Sequence, residues 1–307
     1  MPRRRLLLVA AVLCGTIDAL VAPAPPRATR TRARLRAAFK ENDLKRLLAS
    51  KKGAIDALGR VAPETSELTR LRFALAFPSA VTARGALREA AAWRSGPGRA
   101  IADSAAAAVA AATAGGGWDN EPVRAAAPHA AEINRFITPR NILTLSTDEG
   151  DLVYVIRASL IDDRGLMRRV SVAQLTDFFL YVKEVHRLIV DARTERTGRL
   201  AGVIFANDIS GVSKIPDPKF SQALTASSQQ YERLYPSLAG PTMILNLPFI
   251  IQGFVGLIKP LFPPSVQDRL LFERAPYLAG LDELTPLTTG AAAKRAFLSE
   301  VDRKLPR

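Results

Sequence analysis

Cysteine and histidine are nearly absent from this chain: one cysteine, Cys14, and two histidines, His129 and His186, stand among 307 residues. That excludes a disulfide framework and a cysteine-based metal site. No His-x-x-x-His or comparable ligand spacing exists, so no metal ligand is nominated. His129 lies in an Ala/Pro loop, and His186 lies beside an apolar helical stripe; both read as ordinary surface or boundary histidines. Gly-x-Ser-x-Gly is missing, as are both glycine-rich phosphate loops. Gly115 to Gly117 follow an Ala-rich stretch instead of joining strand to helix, so they read as a flexible break. Asp162 and Asp163 are adjacent and point apart, which makes a poor acid/base couple. No catalytic residue is nominated, and the chain reads as a non-enzyme. Aromatics make up only 7% and are not interleaved with basic residues as a single-strand binder requires.

Charge is plentiful but unevenly placed. The formal net charge is +14, which suggests nucleic acid or an anionic membrane. Residues 1 to 40, however, hold nine Lys/Arg and one acid, Asp18. The rest of the chain is only +6, so nucleic acid loses its main support. Arg3, Arg4 and Arg5 precede the apolar run Leu6 to Cys14, and small residues follow. That is the layout of a secretory signal, and its apolar run is too short to span a bilayer. Arg27 to Lys40 then form an Arg-rich, acid-free stretch of transit-peptide character. The pair resembles the bipartite leader of algae with secondary plastids, with Ala19/Leu20 as the cleavage point. A plastid location is expected, otherwise the secretory pathway.

Beyond this leader (1–40), the hydrophobic spacing predicts helices over 41–60 and 65–93, with an Ala-rich helix over 100–114. Residues 41–138 read as an all-helical N-terminal lobe with an Ala/Gly-rich linker. After Pro139 the pattern alternates. Strands are expected at 142–146, 152–157, 200–206 and 242–247. Helices are expected at 170–192, 216–235, 248–261 and 265–272. Leu175, Phe178, Phe179, Val182, Val185 and Ile189 share one side of the first of these. This order calls for an α/β fold with a mixed, mostly parallel sheet over 139–307.

Residues 231–272 carry the most information. A helix ends near Tyr235-Pro236, and a strand ends at Asn246-Leu247-Pro248. A short helix rich in Phe249, Ile250, Phe254 and Ile258 then closes at Lys259-Pro260. Pro248 and Pro260 bracket about three turns, too few for a membrane span. A helix apolar nearly all round is either core or in part-time contact with lipid.

These residues resemble the C-terminal half of the CRAL-TRIO lipid-binding domain. There a Tyr-Pro precedes a strand ending in Asn-x-Pro, followed by a mobile gate helix and Lys-Pro-Phe/Leu. Tyr235-Pro236, Asn246-Leu247-Pro248 and Lys259-Pro260-Leu261 match in order. Val203 to Gly211 is similar to the family's strand followed by Asp-x-x-Gly, and Val153-Tyr154 matches its first core strand. The resemblance implies a hydrophobic cavity floored by the sheet, closed by the gate helix and holding one lipid. A buried 16-carbon chain would cost on the order of 13 kcal/mol to expose, so the gate opens only at a bilayer. On this reading Phe249, Phe254 and Ile258 are gate residues, Val203, Phe205 and Ile244 help form the floor, and Tyr154 and Arg269 contact the ligand's polar end.

The chain departs from the phosphatidylinositol-binding branch. That branch's polar positions fall on Leu75, Ser237, Val266 and Arg269, and only Arg269 can still grip a phosphate. The positions that hold a phosphatidylcholine head fall partly on apolar Val203 and Phe205. The expected cargo is therefore more apolar (a carotenoid, tocopherol, quinone or fatty-acyl lipid), with phosphatidic acid second among ligands and other phospholipids behind it. No further cofactor, a transient membrane surface, no nucleic-acid partner and a monomer are expected. The rival reading is a membrane-recruited scaffold without lipid transfer, with 100–114 as its docking surface.

Overall fold

The computed structural model describes residues 42–116, 118–146, 150–208, 216–245, 270–273 and 285–286. The leader 1–40 and the expected gate helix 248–261 lie outside them.

The N-terminal lobe is helical, as its apolar spacing predicts. α1 spans Leu44–Gly59, α2 Glu67–Ala76, α3 Ala80–Ser95, α4 Arg99–Thr113, α5 Glu121–Ala125 and α6 Ala130–Ile133. Ser66 and Ser79 cap α2 and α3 by accepting the amides of Thr69 and Thr82, which satisfies donors that a helix start leaves open. The Ala-rich segment forms α4, which turns Ile101, Ala105, Ala108 and Ala112 inward and packs on the long helix of the α/β region. Short side chains let the two helices approach closely.

β1 (Ile142–Ser146) and β2 (Leu152–Arg157) pair antiparallel. α7 (Asp163–Met167) starts at Asp162, whose carboxylate accepts the Gly165 amide; the acidic pair thus serves a helix start. α8 (Val172–Thr197) opens with a full capping box between Ser171 and Gln174. It stops at Gly198, whose φ of 67° is a left-handed cap that glycine adopts without strain. β3 (Val203–Asp208), α9 (Pro218–Leu234) and β4 (Ala239–Leu245) follow, then β5 (Leu270–Glu273) and β6 (Thr285–Pro286).

The strand order is β5-β4-β3-β2-β1-β6. β2 through β5 run parallel, and β1 pairs antiparallel with both β2 and β6. The helix expected over 265–272 is corrected here, because residues 270–272 belong to β5. A short Leu-Leu-Phe run fits either period, and pairing with β4 decides it.

Both faces of β2 and β3 are buried. Leu152, Tyr154 and Val203 join one continuous core that takes in Leu58, Leu71, Leu87, Ile133 and Leu175 of the helices. By two-residue alternation, Val153, Val155, Ile204, Ala206 and Met243 stand on the opposite face. Each is at most 3% exposed, and none belongs to that helical core cluster. A parallel sheet buried on both sides needs such near-continuous apolar strands.

A chain of charges ties the lobe to the α/β region. Arg72 of α2 donates to Asp191 at 2.9 Å, to the Ser237 carbonyl at 2.8 Å and to the Ala201 carbonyl at 3.1 Å. Arg94 of α3 pairs with Glu184 at 3.2 Å and donates to the Leu234 carbonyl at 3.0 Å. Arg187 bridges Glu184 (2.6 Å) and Asp191 (3.1 Å).

Candidate functional site

A cavity of about 80 Å³ opens where α8 passes over β1 and β2 beside the linker segment 118–137. α8 contributes Phe178, Tyr181, Val185 and Ile189, which lie three to four residues apart along one helical face, and His186 next to Val185. The strands supply Ile142, Leu143, Thr144 and Tyr154, and the linker supplies Trp118, Asn134 and Ile137 among others.

The lining is apolar and aromatic with a few neutral polar groups. His186 corrects its sequence reading: it is 3% exposed and sits inside the cavity wall. Its Nε2 lies 3.0 Å from the Thr144 hydroxyl, and its ring packs edge-on against Tyr154 at 4.8 Å. Burial, aided by the Lys183 charge, pushes the imidazole down to about 3. The ring is therefore neutral at neutral pH. Burial also pushes the Tyr154 phenol well above its ordinary value and raises Tyr181 to about 12. The Tyr181 hydroxyl donates to the Val123 carbonyl at 2.9 Å.

Three lining residues carry buried polar atoms without a hydrogen-bond partner: Trp118 Nε1, Asn134 Oδ1 and the Tyr154 hydroxyl. Leaving a buried polar group unmatched costs roughly 1–3 kcal/mol. Arg124 is the charged side chain among the described lining residues. Its Nη2 is bound to the Ile137 carbonyl at 3.0 Å, and burial lowers its pKa against the pull of Glu121.

The structure brings Tyr154, Val203 and Phe205 to the helix-facing side of the sheet. Of these, Tyr154 lines the cavity. Val203 is fully buried in the core behind it. Phe205 sits edge-on between the rings of Tyr154 (6.0 Å) and Tyr231 (5.8 Å). Ile244 pairs with Asn207 in the β3–β4 register. Phe249, Phe254, Ile258 and Arg269 lie outside the described residues. Of the lining residues, sequence reasoning nominated only Tyr154 for the site. The α8 stripe placed Phe178, Val182, Val185 and Ile189 on one helix face, and nothing local marked Trp118, Asn134 or His186.

Such a wall holds an uncharged, mostly apolar ligand end. It is smaller than the roughly 150 Å³ cavity that takes a benzene ring and well below the roughly 300 Å³ of a complete ligand pocket. A cavity of this size has room for no more than one end of a long molecule. Among the described residues, no group of three metal-ligating side chains occurs and no helix is long and apolar enough to cross a membrane.

Comparison with known proteins agrees with this geometry. No curated protein matches the chain. Residues 141–286 match the CRAL/TRIO domain, a span that runs from the residue before β1 to the end of β6 and contains the whole described sheet. Residues 141–286 are therefore similar to the CRAL/TRIO domain, whose members bind lipids and other small hydrophobic ligands.

Proposed function

We propose that this protein holds one lipophilic molecule with its end in the cavity beneath α8 and carries it between membranes. The observation that bears most weight is the meeting of the CRAL/TRIO match with an apolar cavity walled by Tyr154, Phe178 and Val185. Tyr154, Val203 and Phe205 supply or back the sheet side of the site. Phe249, Phe254 and Ile258 are the gate in this reading, and Arg269 meets a polar end. The protein acts as a carrier and not as an enzyme. Its charge-rich leader supports action inside a plastid.

The direct test is native mass spectrometry of the purified chain followed by lipid extraction. One isoprenoid, pigment or fatty-acyl lipid per chain is expected. Val182 lines the cavity and is half-buried on α8, so Val182→Phe should narrow the cavity at tolerable strain, about 1–3 kcal/mol. Its lipid occupancy is expected to fall severalfold with the melting transition still cooperative. Full occupancy in the variant, or no lipid in either protein after incubation with membranes, would sink the carrier reading. The location is checked separately by fusing residues 1–41 to a fluorescent reporter in an alga with secondary plastids. Import into the plastid is expected, and secretion would count against it.

A further inference from the structure

We infer that the turn joining α2 to α3, with the first two turns of α3, is a docking tip that seats in the headgroup region of a bilayer containing anionic lipid. The inference rests on the carrier reading above and names the surface that meets the membrane. Among the described residues, Val81 is the one large apolar side chain left exposed, at 69%. A single exposed valine is ordinary; its surroundings are not. Ala76, Pro78 and Ala80 beside it are exposed as well. Phe77 forms the base of the turn, stacked on Phe73 at 6.0 Å. No acidic residue occurs from Leu68 to Arg88. Arg84 and Arg88 stand three and seven positions after Val81 on α3, so the three share one side of the helix. Arg88 is exposed and Arg84 is half-buried.

The polar groups of the tip are bonded within it. Ser79 Oγ accepts the Thr82 amide at 3.2 Å, and the Thr82 hydroxyl donates to the Ser79 carbonyl at 2.9 Å. Arg84 Nε donates to the Ala80 carbonyl at 3.1 Å, and Pro78 has no amide proton to satisfy. Moving such a turn into a zone short of water costs less than moving open donors there. The start of α2 makes the contrast. Ser66 and Thr69 form the same cap, but exposed Glu64 and Glu67 flank it, and an anionic surface repels them.

A protruding turn of small apolar groups edged by arginine fits a lipid surface. The apolar groups enter the boundary between headgroups and acyl chains, and the guanidinium groups meet lipid phosphates. Headgroups close around any shape, so no matched pocket is required. Arg72 and Arg94 tie α2 and α3 to the α/β region, so a docked tip brings the body that holds the cavity to the bilayer.

The test uses the full chain with Cys14→Ser, which leaves Val81→Cys as the single cysteine to carry a nitrobenzoxadiazole label. A second protein carries the label at Ser50→Cys, exposed on α1. Both are mixed with vesicles of phosphatidylcholine and phosphatidylglycerol, or of phosphatidylcholine alone. On the anionic vesicles the label at Val81→Cys is expected to brighten and shift to the blue, while the label at Ser50→Cys stays in water. Arg84→Gln with Arg88→Gln should weaken binding to those vesicles about twenty- to thirtyfold, at about fivefold for each arginine. Lys45→Gln with Arg46→Gln removes the same charge from α1 and should cost no more than about threefold. A label at Val81→Cys that stays in water on vesicle-bound protein, equal losses in the two double variants, or equal binding to both kinds of vesicle would overturn the docking tip. Cargo occupancy in the same proteins separates the two readings. Neither Arg84 nor Arg88 lines the cavity, so lipid stays bound where the tip alone is wrong, and a wild type without lipid overturns the carrier reading along with it.

Discussion

Acidification from pH 7 to pH 5 is expected to cost this fold about 2 kcal/mol through His186 alone. In the folded chain burial holds the imidazole at about 3, with Lys183 adding to the effect. In the unfolded chain it titrates near its ordinary value of 6.5. Between those values the unfolded state binds a proton that the folded state refuses, so stability rises with pH. The contribution is fully present above pH 6.5 and is lost as pH falls toward 3, at about 1.4 kcal/mol per unit. Glu184 does not share the upper part of this window. Burial pushes its carboxyl up, but the pull of Arg94 and Arg187 more than reverses this and leaves it below the usual carboxylate range. Its contribution is lost only as pH falls below its ordinary 4.5. Urea titrations of the wild type and of His186→Gln, which can still bond to Thr144, separate the two. The wild-type stability should fall steeply from pH 6.5 to 5, and the variant should be nearly flat there. Parallel profiles would show that His186 is not held neutral by burial.

Glu184→Gln is expected to destabilise the protein by about 3–5 kcal/mol. The Glu184 side chain is 1% exposed, while its partners Arg94 and Arg187 are 21% and 22% exposed, so solvent screens the pairs only weakly. Removing the carboxylate leaves Arg94 without a counter-charge and Arg187 with Asp191 alone, at the meeting point of α3, α8 and the end of α9, where Arg94 also holds the Leu234 carbonyl. The loss exceeds that of one hydrogen bond because an unpaired charge remains in the interior. Replacing Glu184 and Arg94 together by Met should return a large part of the loss, since the apolar pair leaves one fewer stranded cation. The denaturant midpoint reads both. A Glu184→Gln midpoint within about 0.5 kcal/mol of wild type, the range of an ordinary surface change, would refute this role.

Most of the sheet and its two long helices were legible in the sequence, because their signals are local. β2 and β3 are apolar runs of strand length, and α8 declares itself by a stripe from Leu175 to Ile189. The family resemblance rested on short motifs around Tyr235-Pro236 and Asn246-Pro248, and the match over 141–286 agrees with it. What failed to show depends on contacts distant in sequence. His186 read as a boundary residue because nothing near it reveals Thr144, its partner 42 positions earlier. Nothing near Glu184 in sequence marks its role, since its arginine partner on α3 lies 90 positions away. Trp118 and Asn134 belong to no periodic segment, so only the folded chain brings them beside Tyr154. β5 was misread because Leu270, Leu271 and Phe272 fit two periods, and pairing with β4 is what chooses.

The core that joins Leu58, Leu71 and Leu87 to Leu175 and Val203 without a break makes the border at residue 141 one of ancestry and not of cooperativity. A piece cut there would present to water the apolar surface that the lobe now covers, and its long helix would lose the counter-charges of Arg72 and Arg94. Fluctuations that loosen the lobe are therefore felt in the wall of the cavity beneath α8, because Trp118 and Asn134 ride on the same segment that links the two. A change in the packing of the lobe and a change in the shape of the cavity are, on this architecture, one event.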